Sequence, residues 1–87
     1  MPINAEKATE IVRDYLKKSR GLEKEIAGRE FIDQLDFTVN SIEPKEDYYE
    51  VRCELRENLF SEKKIKYYLK INRESGELEE VKREDEV

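Results

Sequence analysis

At 87 residues the chain has room for one domain and not two, and 45% of it is charged. Its 22 acidic residues outnumber 17 basic ones for a net charge of −5, a balance that argues against nucleic acid as the main partner. So high a charge content would suit a disordered chain, but the Tyr, Phe, Ile and Val residues fall largely on regular repeats, so a folded protein is expected.

Asn4 reads as a helix N-cap, with Ile3 ahead of it and Glu6 in the first turn. Ala8, Ile11, Val12, Tyr15, Leu16 and Ser19 follow at helical spacing. Lys17, Lys18 and Arg20 bring positive charge to the end, and Gly21 suits the left-handed position beyond it. These signals predict a helix over residues 5–19. Residues 22–35 carry two competing patterns. Leu22, Ile26, Phe31, Ile32 and Leu35 fit helical spacing loosely, while Phe31, Leu35, Phe37 and Val39 fit a two-residue period. The reading adopted is a short helical or irregular connection into a strand over residues 35–43, ended by Pro44.

Two strands follow with clean alternation. Tyr49, Val51, Cys53 and Leu55 form one apolar row, and Ile65, Tyr67, Leu69 and Ile71 form the other. If paired residues sum to 120, Tyr49 faces Ile71 and Leu55 faces Ile65 on the core side. On the other side Glu50 then opposes Lys70, Glu54 opposes Lys66, and Arg52 opposes Tyr68. Asn72 to Gly76 forms a turn, a short last strand runs through Leu78 and Val81, and residues 82–87 are expected to fray. The fold class expected is α+β: one domain, an N-terminal helix packed on a four-stranded antiparallel meander in the order α-β-β-β-β.

Chemistry is sparse. The chain has no His and one Cys, so the usual zinc ligand sets cannot form within it. Ser19, Ser41, Ser61 and Ser75 have no His base, Gly21, Gly28 and Gly76 are isolated, and no spacing singles out a carboxylate pair. Cys53 shares its parity with Val51 and Leu55 and is expected in the core. No catalytic residue, metal or cofactor is expected. The N-terminus lacks the apolar stretch of a signal peptide, and no apolar run approaches the roughly 20 residues that span a bilayer. Cytoplasmic location is the default expectation. Glu and Lys dominate the charged set and Gln occurs once, at Gln34, so a thermophilic source is a further expectation.

Two features remain as interaction candidates. Lys63 to Lys70 interleaves basic and aromatic residues, leaving Tyr68 as the one outward-facing stacking platform. The hairpin tip, Glu57 to Glu62, holds adjacent Leu59 and Phe60, both costly to leave in water. They either tuck under the sheet to extend the core or anchor a partner.

A single helix followed by an antiparallel meander resembles the PepSY-like and cystatin-like architectures, and the closing hairpin Tyr67 to Leu78 is similar to the strand–turn–strand ending of PepSY-type domains. The layout from Tyr49 to Leu78 also resembles the gas-vesicle accessory protein O family, although the basic aromatic tail of that family is replaced here by Lys82-Arg83-Glu84-Asp85-Glu86-Val87. Cystatin-type inhibition is not implied: Gln34-Leu35-Asp36-Phe37 lacks the Val and Gly of the inhibitory loop, and Trp is absent. Architecture does not transfer function. The sequence therefore points to a small non-enzymatic interaction or accessory module that binds another protein or its own copy, with Leu59, Phe60 and Tyr68 as candidate contacts. The alternative is a small-ligand-binding domain with a pocket between helix and sheet, lined by Tyr15, Tyr49 and Tyr67.

Overall fold

The computed structural model describes residues 2–84. Helix α1 spans Ala5–Ser19. Its first turn is closed by Asn4, whose Oδ1 accepts from the Lys7 N–H at 2.8 Å. Its last turn ends in paired reverse bonds, Leu22 N–H to Lys17 O at 2.7 Å and Gly21 N–H to Lys18 O at 3.3 Å. Gly21 takes φ +69°, which an L side chain resists, so the glycine permits this stop. Leu22 then drops into the core beside Leu16.

The connection differs from expectation. Instead of a loose lead into a strand beginning at Leu35, residues 22–37 hold three short elements. Strands β1 (Glu25–Ile26) and β2 (Arg29–Glu30) form a miniature hairpin, followed by a single helical turn, α2 (Phe31–Gln34). The hairpin turn is Ala27-Gly28, both at positive φ (52° and 81°), the two-residue geometry that matches strand twist. Ala27 is an uncommon residue for that position, which is why composition did not flag the turn. Leu35 caps α2 and is buried. Asp36 then sits at φ 55°, and strand β3 runs over Thr38–Pro44, including the proline expected to end it.

Strands β4 (Tyr48–Arg56), β5 (Lys64–Asn72) and β6 (Leu78–Arg83) complete an antiparallel sheet in the order β3-β4-β5-β6. The β4–β5 register is the expected one throughout, with Tyr49 opposite Ile71, Cys53 opposite Tyr67 and Leu55 opposite Ile65. Lys82 and Arg83 do not fray: they pair with Tyr68 and Tyr67 as the end of β6. Residues 85–87 of the expected tail lie outside the described residues. Each outer strand carries an irregularity, between Val39 and Ser41 in β3 and beside Glu79 in β6.

Ala8, Val12 and Leu16 of α1 are buried in one cluster with Val51, Leu55, Leu69 and Ile71 of the sheet, closed at one side by Leu22, Ile32 and Leu35. The helix therefore covers one face of the sheet, and the alternation seen in sequence decides which face. Arg13 ties α1 to the connection through Asp33 (2.8 Å) and Glu30 (3.3 Å), and Lys17 adds a second contact to Glu30. The Arg13 guanidinium holds the Asp33 carboxyl below its usual range, and Lys17 followed by Arg13 does the same for Glu30.

Candidate interaction surface

The β4–β5 hairpin joins the two longest strands of the described residues, and its tip is formed by residues 57–63. Two side chains organise that tip. Asn58 Oδ1 accepts from the Phe60 N–H at 2.8 Å, and Ser61 Oγ accepts from the Lys63 N–H at 3.0 Å. Both are short-range side-chain-to-backbone turns, the kind Asn and Ser make readily. Glu57 N–H reaches Lys63 O at 2.9 Å and closes the loop at its base. Arg20, just past the end of α1, donates to Glu57 O (3.3 Å) and to the Tyr67 hydroxyl (3.0 Å), fastening the base of the tip to the helix end.

The two apolar residues of this turn part company. Leu59 is half-buried and packs against the core, as one of the two sequence readings has it. Phe60 is 98% exposed. The other exposed large apolar residue among those described, Tyr15, is far less so, at 36%. Exposed aromatic residues are ordinary one at a time; a phenyl ring wholly in water, on a turn held by hydrogen bonds on both sides, is a more particular arrangement. Sequence alone could not divide Leu59 from Phe60, because adjacent turn residues obey no fixed period.

Charge around the tip is uneven. Lys63, Lys64 and Lys66 are exposed and form no ion pair among the described residues. The Lys66–Glu54 pairing expected across the sheet is absent although the two residues are directly opposite. Glu57 and Glu62 are exposed at the same tip.

Tyr68 lies elsewhere, on the helix-free face of the sheet. It is half-buried, with the Arg52 guanidinium 5.2 Å from its ring centroid. Arg52 also reaches Glu84 at 3.6 Å. Tyr48 is covered likewise by Lys70, at 4.9 Å. These cations occupy the ring faces that a stacking base would need. Lys70 pairs with Glu80 of β6 (3.4 Å) rather than with Glu50 of β4, while Glu50 lies 3.9 Å from Lys45. A central strand has a neighbour on each side, so correct register leaves the choice of ion pair open.

The three tyrosines assigned to a ligand pocket do not converge. Tyr49 and Tyr67 are buried, and their hydroxyls are engaged by Ile3 O (3.3 Å) and Arg20 (3.0 Å), while Tyr15 faces outward. No pocket opens among the described residues. Cys53 is buried as expected, and burial pushes its thiol up to about 12, a value at which thiolate chemistry is suppressed near neutral pH. None of the described helices is long and apolar enough to cross a membrane. No family model, curated protein or solved structure matches the chain.

Proposed function

We propose that the chain is a small non-enzymatic interaction module that engages a protein partner through the β4–β5 tip, with Phe60 as the anchor. The observation that carries this reading is Phe60 itself: 98% exposed, on a turn held by Asn58 and Ser61. An aromatic side chain carried on a hydrogen-bonded turn binds without the full cost of ordering a loop, and single aromatic anchors commonly dominate small interfaces. Leu59 supports the turn from below, so the anchor stands on the core rather than on a free loop.

The mixed charge at the tip favours a protein over a uniform polyanion. Lys63, Lys64 and Lys66 would attract a phosphate backbone or an anionic headgroup layer, but Glu57 and Glu62 would be pressed against the same surface. A protein surface can place opposite charges separately against each.

The reading is tested by capturing binders from extract of the source organism with the wild-type chain and with Phe60→Ser, then reconstituting each identified binder with both purified forms by calorimetry. Loss of one fully buried phenyl contact predicts weakening by at least about tenfold. Equal affinity of both forms for every reconstituted binder would overturn the proposal.

A further inference from the structure

We infer that β6 is a self-pairing edge: two copies of this chain join antiparallel along it, centred on Val81, into one eight-stranded sheet. The inference stands apart from the tip, which such a pair leaves free. In the order β3-β4-β5-β6 the last strand is outermost, and no strand lies beyond it among the described residues. Glu84 N–H donates to Lys66 O at 2.8 Å, and Lys82 and Glu80 stand opposite Tyr68 and Lys70. Backbone bonding alternates along an antiparallel pair, so residues 80, 82 and 84 turn their N–H and C=O groups toward β5. Val81, between them, turns its own outward, where two Val81 residues can exchange both bonds across a two-fold axis.

The side chains choose both the occupant and the register. Glu80 and Lys82 share the helix-free face, opposite Lys70 and Tyr68. Turned about Val81, Glu80 of each copy faces Lys82 of the other. Within one copy Lys82 Nζ already lies 3.2 Å from Glu80 Oε1. The four charges therefore stand at the corners of a square whose every side joins opposite signs, with like signs only along the diagonals. Lys70, 3.4 Å from Glu80, adds a cation behind each carboxylate. Cross-strand neighbours share a face, so the next registers either way set Glu80 against Glu80 or Lys82 against Lys82. Like charges directly opposite are destabilising.

The helix side of the same edge supplies apolar area. Helix α1 begins beside Arg73, which accepts from the Ile3 N–H, and ends where Arg20 reaches Glu57 and Tyr67, so it runs alongside β6. Arg13 and Lys17 face the connection, and Ile11 lies on the opposite flank, 3.2 Å from where a Gly76 Cβ would stand. Ile11, Leu78 and Val81 are only half-buried, and Tyr15, one turn beyond Ile11, is exposed. A second copy on β6 extends the sheet past Val81 and withdraws apolar surface there from water. Charge and bulges ordinarily guard an edge against foreign strands. The irregularity beside Glu79 confines pairing to residues 80–83, and within that run the charges match their own reversal. Strand β3, the other edge, ends in Pro44 and carries Glu43 as its one charged residue, so no such match exists there.

Sedimentation equilibrium on the purified full chain tests this. Wild type should pass from monomer to dimer with rising concentration and go no further, because pairing consumes the edge. Lys82→Glu sets carboxylate against carboxylate and Glu80→Lys ammonium against ammonium, so each alone should weaken dimerisation about tenfold. Mixed in equal amounts they should restore it, since each strand then carries one sign and meets the other. The Lys82 side chain is 65% exposed, so circular dichroism of Lys82→Glu should show unchanged folding. Hydrogen exchange decides the matter even if Glu80→Lys does not fold: the Val81 amide should slow as wild-type concentration rises, and not in Lys82→Glu. Wild type still monomeric at about 1 mM overturns the inference. So does dimerisation untouched by Lys82→Glu, or a mixture of folded variants that associates no better than either alone. Phe60→Ser should dimerise like wild type; its failure to do so would move the contact to the tip and overturn pairing through β6.

Discussion

The ladder and the tip of the β4–β5 hairpin follow opposite rules within one continuous stretch. Along the ladder every second side chain, from Tyr49 to Leu55 and from Ile65 to Ile71, is buried, and the pairing keeps one register over nine residue pairs. At the tip residues 57–63 make a loop in which Leu59 leans on the core and Phe60 stands in solvent. The difference teaches where stability and recognition reside. Burial rewards the ladder for hiding apolar surface, whereas an exposed ring gains nothing from folding and is left available to a second molecule.

The sharpest way to break that contrast is in the ladder. Leu69→Ala removes a fully buried side chain from the centre of the core and should cost about 2–5 kcal/mol, read by urea denaturation. In a domain this small such a loss approaches the total stability available, so a milder Ile71→Val, costing about 0.5–1.5 kcal/mol, is the companion measurement. Gly76→Ala comes next. A side chain at φ +77° is strained by about 1–2 kcal/mol, and the new methyl would also press on Ile11 Cδ1. The melting temperature should fall.

Leu59→Ala sits between the two regions. Its half-buried side chain should contribute about 1 kcal/mol, so an unfolding midpoint that does not move would show the tip to be independent of the core. Acid should produce a smaller, graded loss. Asp33 and Glu30 titrate below their ordinary range because Arg13 and Lys17 stabilise the charged forms. Their contribution is therefore complete above the ordinary carboxylate range and disappears as pH falls through the depressed folded values. Arg13→Ala should flatten this acid dependence in a melting-temperature series, and salt should do the same, since these groups are partly exposed. Smallest of all is Phe60→Ser, expected to change stability by no more than about 0.5 kcal/mol while weakening partner binding. A large destabilisation there would mean that the ring is not free, and would remove the basis of the contrast.

The parts of the fold readable from sequence are those with a strict period. Helix α1 was legible because Ala8, Val12 and Leu16 recur on one face between two recognisable caps, and β4 and β5 because two-residue alternation runs unbroken through each. Residues 22–35 were not, because each of their elements is two to four residues long, shorter than the period needed to identify it. The Ala27-Gly28 turn lacks the Asn or Asp that ordinarily marks such a hairpin. The end of β6 was misjudged for a related reason: Lys82 and Arg83 look like a polar tail until β5 is available to pair with them.

The candidate site was only half legible. Leu59 and Phe60 stood out as apolar residues in a turn, but which of them faces water depends on how Asn58 and Ser61 fold the backbone between them. The packing of Ile3 and Ile11 against Gly76 was invisible, since it joins the helix start to the β5–β6 turn, more than sixty residues apart in sequence.

Composition, caps and periodicity by themselves determined that the chain folds, where its long helix and two central strands run, and which side of each strand is apolar. They could do so because those properties depend on neighbours within a few residues. Only the tertiary structure decided which cation meets which carboxylate, which of two adjacent apolar residues stays in water, and what stands at the two ends of the sheet. Those outcomes depend on groups brought together by chain reversal, and no local period records them.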